Sequence, residues 1–148
     1  MRGGTENVYG IVGLAKALEI SCKELNEQKS QILNLKKYMI DQLMKKIPDV
    51  QFNGQCADLN DSLYTVLNVC LPPTPHNEML LFNLDISGIS ASGGSACSSG
   101  SNISSHVLAE LNRDPKRGAV RFSFSKYNNK EEIAYTVETL SKLIHPTK

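Results

Sequence analysis

The stretch "GAVRFSFSKYNNKEEI" (residues 118–133) decides how this chain folds. Val120, Phe122 and Phe124 alternate with Arg121, Ser123 and Ser125, the period of two that a strand with one buried face requires. The period then changes. Ile133, Val137, Leu140 and Ile144 recur at helical spacing, and Pro146 stops the run. Asn128 or Asn129 suits the N-cap, and Glu131 and Glu132 suit the positive end of the helix dipole. A strand that turns at once into an amphipathic helix buries both apolar faces against each other, so a sheet with helices laid on it is expected.

The rest of the chain extends that layer. "SLYTVLNVCL" (residues 62–71) is rich in strand-favouring residues and is closed by Pro72, Pro73 and Pro75. "HNEMLLFNLDIS" (76–87) reads as a helix stopped at Gly88, and "ISAS" (89–92) as a short strand. "SHVLAELN" (105–112) makes a short helix, with Ser104 or Ser105 suited to cap it. Upstream, "NVYGIVGLAKALEI" (7–20) reads as one amphipathic helix. A second, longer helix follows, with Leu25, Ile32, Leu35, Met39, Leu43 and Ile47 as its apolar stripe and Pro48 as its end. Lys36, Lys37, Lys45 and Lys46 are read as lying off that stripe. The expected class is α+β: a short, mainly antiparallel sheet with helices on one face, preceded by a long helix.

Composition narrows the function. With 148 residues the chain is the size of one ordinary domain, and a formal charge of +1 from interspersed residues leaves no electrostatic footprint for nucleic acid or an anionic membrane. No run approaches the roughly 20 apolar residues of a membrane helix, and the first residues lack a signal peptide's basic-then-apolar layout. A cytoplasmic setting with reduced thiols is therefore the expectation. Cys22, Cys56, Cys70 and Cys97 show no C-x-x-C spacing, and His76, His106 and His145 stand apart from them, so no metal site is expected. Cys22 and Cys70 fall within apolar patterns and read as inert core or half-buried thiols.

Cys97 is different. It lies in "SASGGSACSSGSNISSH" (90–106), where ten of the fourteen residues from Ser92 to Ser105 are Ser or Gly. Such a run serves as a plain connector, as a weak phosphate cradle without the P-loop lysine, or as a tether for a transfer thiol. With a free pKa near 8.5, a few per cent of the thiol is thiolate at neutral pH, already a capable nucleophile. The residues alone leave these readings open.

"SGISASGGSACSSG" (87–100) resembles the active-site loop of the NifS/IscS-type cysteine desulfurases. "RGGTENVYGIVGLAKAL" (2–18) and "AVRFSFSKYNNKEEI" (119–133) are similar to two further segments of that family, in the same order. The resemblance implies the carboxy-terminal part of a fold-type I, pyridoxal 5'-phosphate (PLP) transferase that takes sulfur from L-cysteine and releases L-alanine. It implies that Cys97 is the nucleophile that becomes the persulfide, that Arg121 grips the substrate carboxylate, and that Thr5 reaches the phosphate of a neighbouring subunit's cofactor in a homodimer. Threonine also suits a helix N-cap at that position. The implied acceptor is an iron–sulfur scaffold or sulfur-carrier protein.

The family's Schiff-base lysine, and the aspartate and histidine beside the cofactor ring, belong to its large domain. No lysine here stands in the family's Ser-x-His-Lys context; Lys16, Lys36 and Lys37 read as solvated helix charges. Residues 1–20 are accordingly expected to be the helical end of the large domain, and 21–148 the small domain carrying the cysteine loop 92–105. Alone, the chain is expected to be inactive and to expose apolar surface on its first helix that favours association. Gly93, where many relatives have Ser, is expected to loosen the loop. The alternatives are a non-catalytic sulfur carrier and another class V enzyme such as a selenocysteine lyase.

Overall fold

The computed structural model describes residues 3–75, 77–93, 106–111, 114 and 116–145. Helix α1 (Val8–Lys46) leads into a two-residue strand β1 (Gln51–Phe52) and a long strand β2 (Val66–Pro73). A 3₁₀ turn (Asn77–Met79) precedes α2 (Leu80–Ile86), followed by α3 (His106–Glu110), β3 (Arg117–Ser123) and α4 (Lys130–Ile144). The sheet has the order β1-β2-β3 and both pairings are antiparallel. This is the expected α+β layer.

The alternation read from the sequence sets the packing. Leu67, Val69 and Leu71 of β2 face the same side as Val120 and Phe122 of β3, and all are buried. Against them lie Leu35, Met39 and Leu43 of α1, Leu80 and Leu84 of α2, and Ile133, Val137 and Leu140 of α4. Asn129 caps α4 as expected: its side chain accepts from the Glu132 amide at 2.8 Å, and Glu132 answers onto the Asn129 amide at 3.2 Å. Gly88 ends α2 with φ near +73°, a conformation costly for any residue with a Cβ.

Three expectations about α1 are corrected. The two helices are one. Leu18 and Leu25 are a single heptad apart, so the two stripes share a phase, and no proline or glycine lies between Leu14 and Lys46 to break the backbone. Second, burial begins only at Ile32, so Leu25 of the longer stripe lies in solvent; Val8, Ile11, Val12 and Leu18 form the exposed apolar surface that was expected. Third, Lys36 is buried, not solvated. It lies four residues after Ile32 and three before Met39, in phase with the stripe, and its Nζ donates to Ser62 Oγ (2.7 Å) and the Leu63 carbonyl (2.9 Å). No helix among the described residues is long and apolar enough to cross a membrane.

Other differences are smaller. β1 had no counterpart among the expected strands, and "ISAS" forms only one bridge, Ser92 to Arg121. Cys22 is exposed, because it precedes Ile32, where the buried stripe of α1 begins; Cys70 is buried as read. Arg117 is also buried. It donates to Asp49 Oδ2 (2.7 Å), to the Asp49 carbonyl and to Cys70 Sγ (3.2 Å), tying the turn after α1 to the start of β3. Burial opposes its charge, but the bonds to Asp49 and Cys70 outweigh that and hold the guanidinium protonated.

The two halves of α1 make different demands on stability. Leu43→Ala should cost about 2–5 kcal/mol, because it opens a cavity between α1 and α4. Leu18→Ala, at an exposed site, should stay within about 0.5 kcal/mol. Urea unfolding of the two variants measures both.

Candidate functional site

The face of the sheet turned away from the core carries a row of polar residues. Asn68 of β2 stands directly opposite Arg121 of β3. The Asn68 backbone turns toward β1: its amide donates to Cys56 Sγ (3.3 Å) and its carbonyl accepts from Asn53 N (3.0 Å) and Cys56 Sγ (3.2 Å). The Arg121 backbone turns the other way and exchanges two bonds with Ser92, of 2.6 and 3.1 Å. Asn68 and Arg121 are therefore a non-hydrogen-bonded pair, the kind whose side chains approach more closely, with Cα atoms about 4.5 Å apart in such pairs. The order across the sheet is Asn53, Asn68, Arg121, Ser92.

Side-chain bonds fix the two ends of that row. Asn53 Nδ2 donates to Asn68 Oδ1 at 2.8 Å, and Arg121 Nε donates to Ser92 Oγ at 3.1 Å. Beside them opens a cavity of about 210 Å³, lined by Asn68, Ser92, Gly93, Val107, Leu108, Ala119 and Arg121. Arg121 is the one charged residue among these. Its Nη1 and Nη2 have no protein partner among the described residues, while Nε is already held. A planar, permanently charged fork fixed at one edge and open at the other is suited to a carboxylate or another planar anion. A second cavity, about 290 Å³, opens beside Gly88, Ile89 and α4. Its one ionised group, Glu132, is taken up in capping α4.

Of the three residues singled out from sequence, Arg121 is at this cavity. Thr5 is exposed ahead of α1, and the cap falls to Asn7, whose Oδ1 accepts from Gly10 N at 3.1 Å. Thr5 does not line the Arg121 cavity. Cys97, with Ser104 and Ser105, lies outside the described residues. The chain leaves the described part at Gly93 and resumes at His106, and Gly93 and Val107 both line the cavity. Gly93 is closely approached there: a Cβ on it would meet Leu81 Cδ1 at 2.8 Å and the Ala119 carbonyl at 3.2 Å. Sequence reading missed Asn68 and Ser92. The alternation of β2 put Asn68 on the open face, but only the register with β3 sets it beside Arg121.

The aminotransferase class-V family model matches residues 1–135. The chain belongs to that family. It is 36% identical over 147 residues to a cysteine desulfurase IscS of Dictyoglomus turgidum, covering 97% of this chain and 36% of that protein. A putative cysteine desulfurase IscS 1 of Bacillus subtilis is 35% identical over 146 residues, covering 97% and 38%. Among solved structures, a NifS-like protein superposes with a TM-score of 0.74 at 30% identity, over 96% of this chain and 35% of that one. A NifS-like protein from Rickettsia africae gives 0.73 at 24% identity, which speaks for the fold alone. The chain thus spans little more than a third of the length of these relatives.

Class-V membership implies PLP as cofactor. The described residues do not by themselves form a site for it. PLP needs a lysine amine for its aldehyde, and no lysine is among the described residues that line the Arg121 cavity. The buried lysine, Lys36, is committed to Ser62 and Leu63. What this part of the family member offers is the Arg121 guanidinium at a cavity and the two flanks of the cysteine segment.

Lys36 gives a pH signature. Burial pushes its pKa below the ordinary 10.5, against a smaller pull in the other direction from Cys56 and Asp58. The unfolded chain therefore keeps this proton to higher pH than the folded chain does. Stability should rise with pH between the lowered value and 10.5, and be penalised below it. Urea midpoints at several pH values across the alkaline range should show that rise in the native sequence and a flatter profile in Lys36→Met.

Proposed function

We propose that this chain acts as the carboxy-terminal part of a PLP-dependent cysteine desulfurase. In that reading L-cysteine is the substrate, L-alanine is released, and the sulfur leaves as a persulfide on Cys97. The Schiff-base lysine comes from residues outside this chain. Arg121 holds the substrate carboxylate through Nη1 and Nη2, Thr5 serves the cofactor phosphate across a homodimer interface, and a cytoplasmic scaffold or carrier protein receives the sulfur.

The observation that carries the proposal is the Arg121 cavity. A guanidinium whose Nη1 and Nη2 have no partner among the described residues faces a space whose edges, Gly93 and Val107, flank the segment that bears Cys97. Cys97 is four residues beyond Gly93, and four peptide steps of at most ~3.6 Å keep it within about 14 Å. A thiol tethered at that distance can meet a substrate held by its carboxylate and still carry the sulfur outward. The similarity to cysteine desulfurases over 97% of the chain supports the same reading.

The test combines the chain with the portion of the Dictyoglomus turgidum relative that it does not match, together with PLP and L-cysteine. Alanine release and a persulfide on Cys97, read by mass spectrometry, should appear only in the combined sample. Arg121→Lys keeps the charge but loses the fork, and should lower kcat/KM about tenfold to a hundredfold, as expected for a charge-assisted hydrogen bond. Undiminished sulfur transfer by Cys97→Ser would overturn the assignment. Persulfide formation on Cys97 from an added donor, with no gain from the large domain, would favour a sulfur carrier instead.

A further inference from the structure

The geometry points to Asn68 as a second donor to the carboxylate held at Arg121, with Asn53 setting the direction of its amide and Ser92 setting that of the guanidinium. This rests on the reading of Arg121 given above and extends it to a residue that the sequence motifs did not single out.

Four observations converge. Asn68 lines the cavity together with Arg121. Opposite register in a non-hydrogen-bonded pair puts the two side chains next to each other on one face of the sheet. The Asn68 amide also has a defined sense. Its Oδ1 accepts from Asn53 Nδ2 at 2.8 Å, on the β1 side of the row, so its Nδ2 is turned to the Arg121 side. That Nδ2 group has no protein partner among the described residues. Finally, the backbone of Asn68 is held by bonds to Asn53 and Cys56, so the side chain starts from a fixed base.

The same logic applies at the other end of the row. Ser92 Oγ accepts from Arg121 Nε, which sets the plane of the guanidinium and leaves only its two outer nitrogens for a ligand. The cavity thus presents a neutral N–H donor and a charged two-pronged donor, with no acidic side chain among the described residues that line it. A carboxylate has acceptor capacity for about four bonds, more than one guanidinium edge fills. Asn68 supplies the next one without adding charge. Ser92 and Asn53 are positioning residues in this arrangement, because each acts through the neighbour it orients.

The test is a titration of the isotopically labelled 148-residue chain with sodium acetate and with L-cysteine, at constant ionic strength. The probes are the NMR signals of Arg121 Nε–H and Asn68 Nδ2–H₂. Both should shift along one binding curve. Asn68→Asp keeps an oxygen facing Asn53 but removes the donor and offers Arg121 an internal carboxylate, so it should weaken binding tenfold or more. Asn68→Ala, lacking the competing charge, should weaken it about threefold to tenfold. If Arg121 responds while Asn68 stays silent and Asn68→Asp binds as well as the native chain, the Asn68 role is overturned and the Arg121 reading stands. If neither signal responds, the carboxylate site itself is wrong and this inference falls with it. The measurement on the unaltered chain decides the matter even if a variant fails to fold.

Discussion

The pairing of β2 with β3 governs both the core and the candidate site. Its register puts Val69 opposite Val120 and Leu67 opposite Phe122 on the side of the helices, and Asn68 opposite Arg121 on the other. Side chains alternate strictly along a strand, so a slip of one residue would send the apolar set into water and the polar row into the core. Each buried side chain of these strands is thus also a constraint on where Arg121 points. The same ladder sets the packing of the core and the arrangement of the candidate site.

Around that ladder the chain uses polar residues as fasteners rather than as surface decoration. Arg117 passes beside β2 to reach Asp49, Lys36 reaches under the segment before β2 to Ser62 and Leu63, and Lys126 joins the turn after β3 to Glu24 of α1 at 2.8 Å. The Glu24 carboxyl is held below its usual range chiefly by its hydrogen bond from Lys126. The Glu24 bridge lies at the surface and contributes little by itself. The buried cations differ. Each is held by at least two hydrogen-bond acceptors, and no buried side-chain polar atom among the described residues is left without a partner.

The sequence made some of this legible and hid the rest for identifiable reasons. The strand around Arg121 and the capped helix after it are local patterns, and period, cap and stop signal all agree there. Arg121 itself was visible as the polar phase of that strand. Lys36 was misread because its burial is created by residues 26 and 27 positions away, which no local window contains. β1 is two residues long and carries no periodicity at all. The sequence suggests two helices in α1, yet its apolar stripe keeps one phase from Leu18 to Leu25 and the backbone runs unbroken. Asn68 could be assigned to a face from alternation, but not to a neighbour.

The uninterrupted course of α1 has a mechanical corollary. Its 39 residues amount to a rod of roughly 58 Å at 1.5 Å per residue, anchored over its last turns and standing free over its first. No proline or glycine lies between Leu14 and Lys46 to seed a sharp kink. Rocking such a rod by about 6° around Ile32 would sweep Val8 through roughly 4 Å, by the same rise per residue. Leverage also works in reverse: whatever grips the free end gains mechanical advantage over the orientation of the sheet at the other.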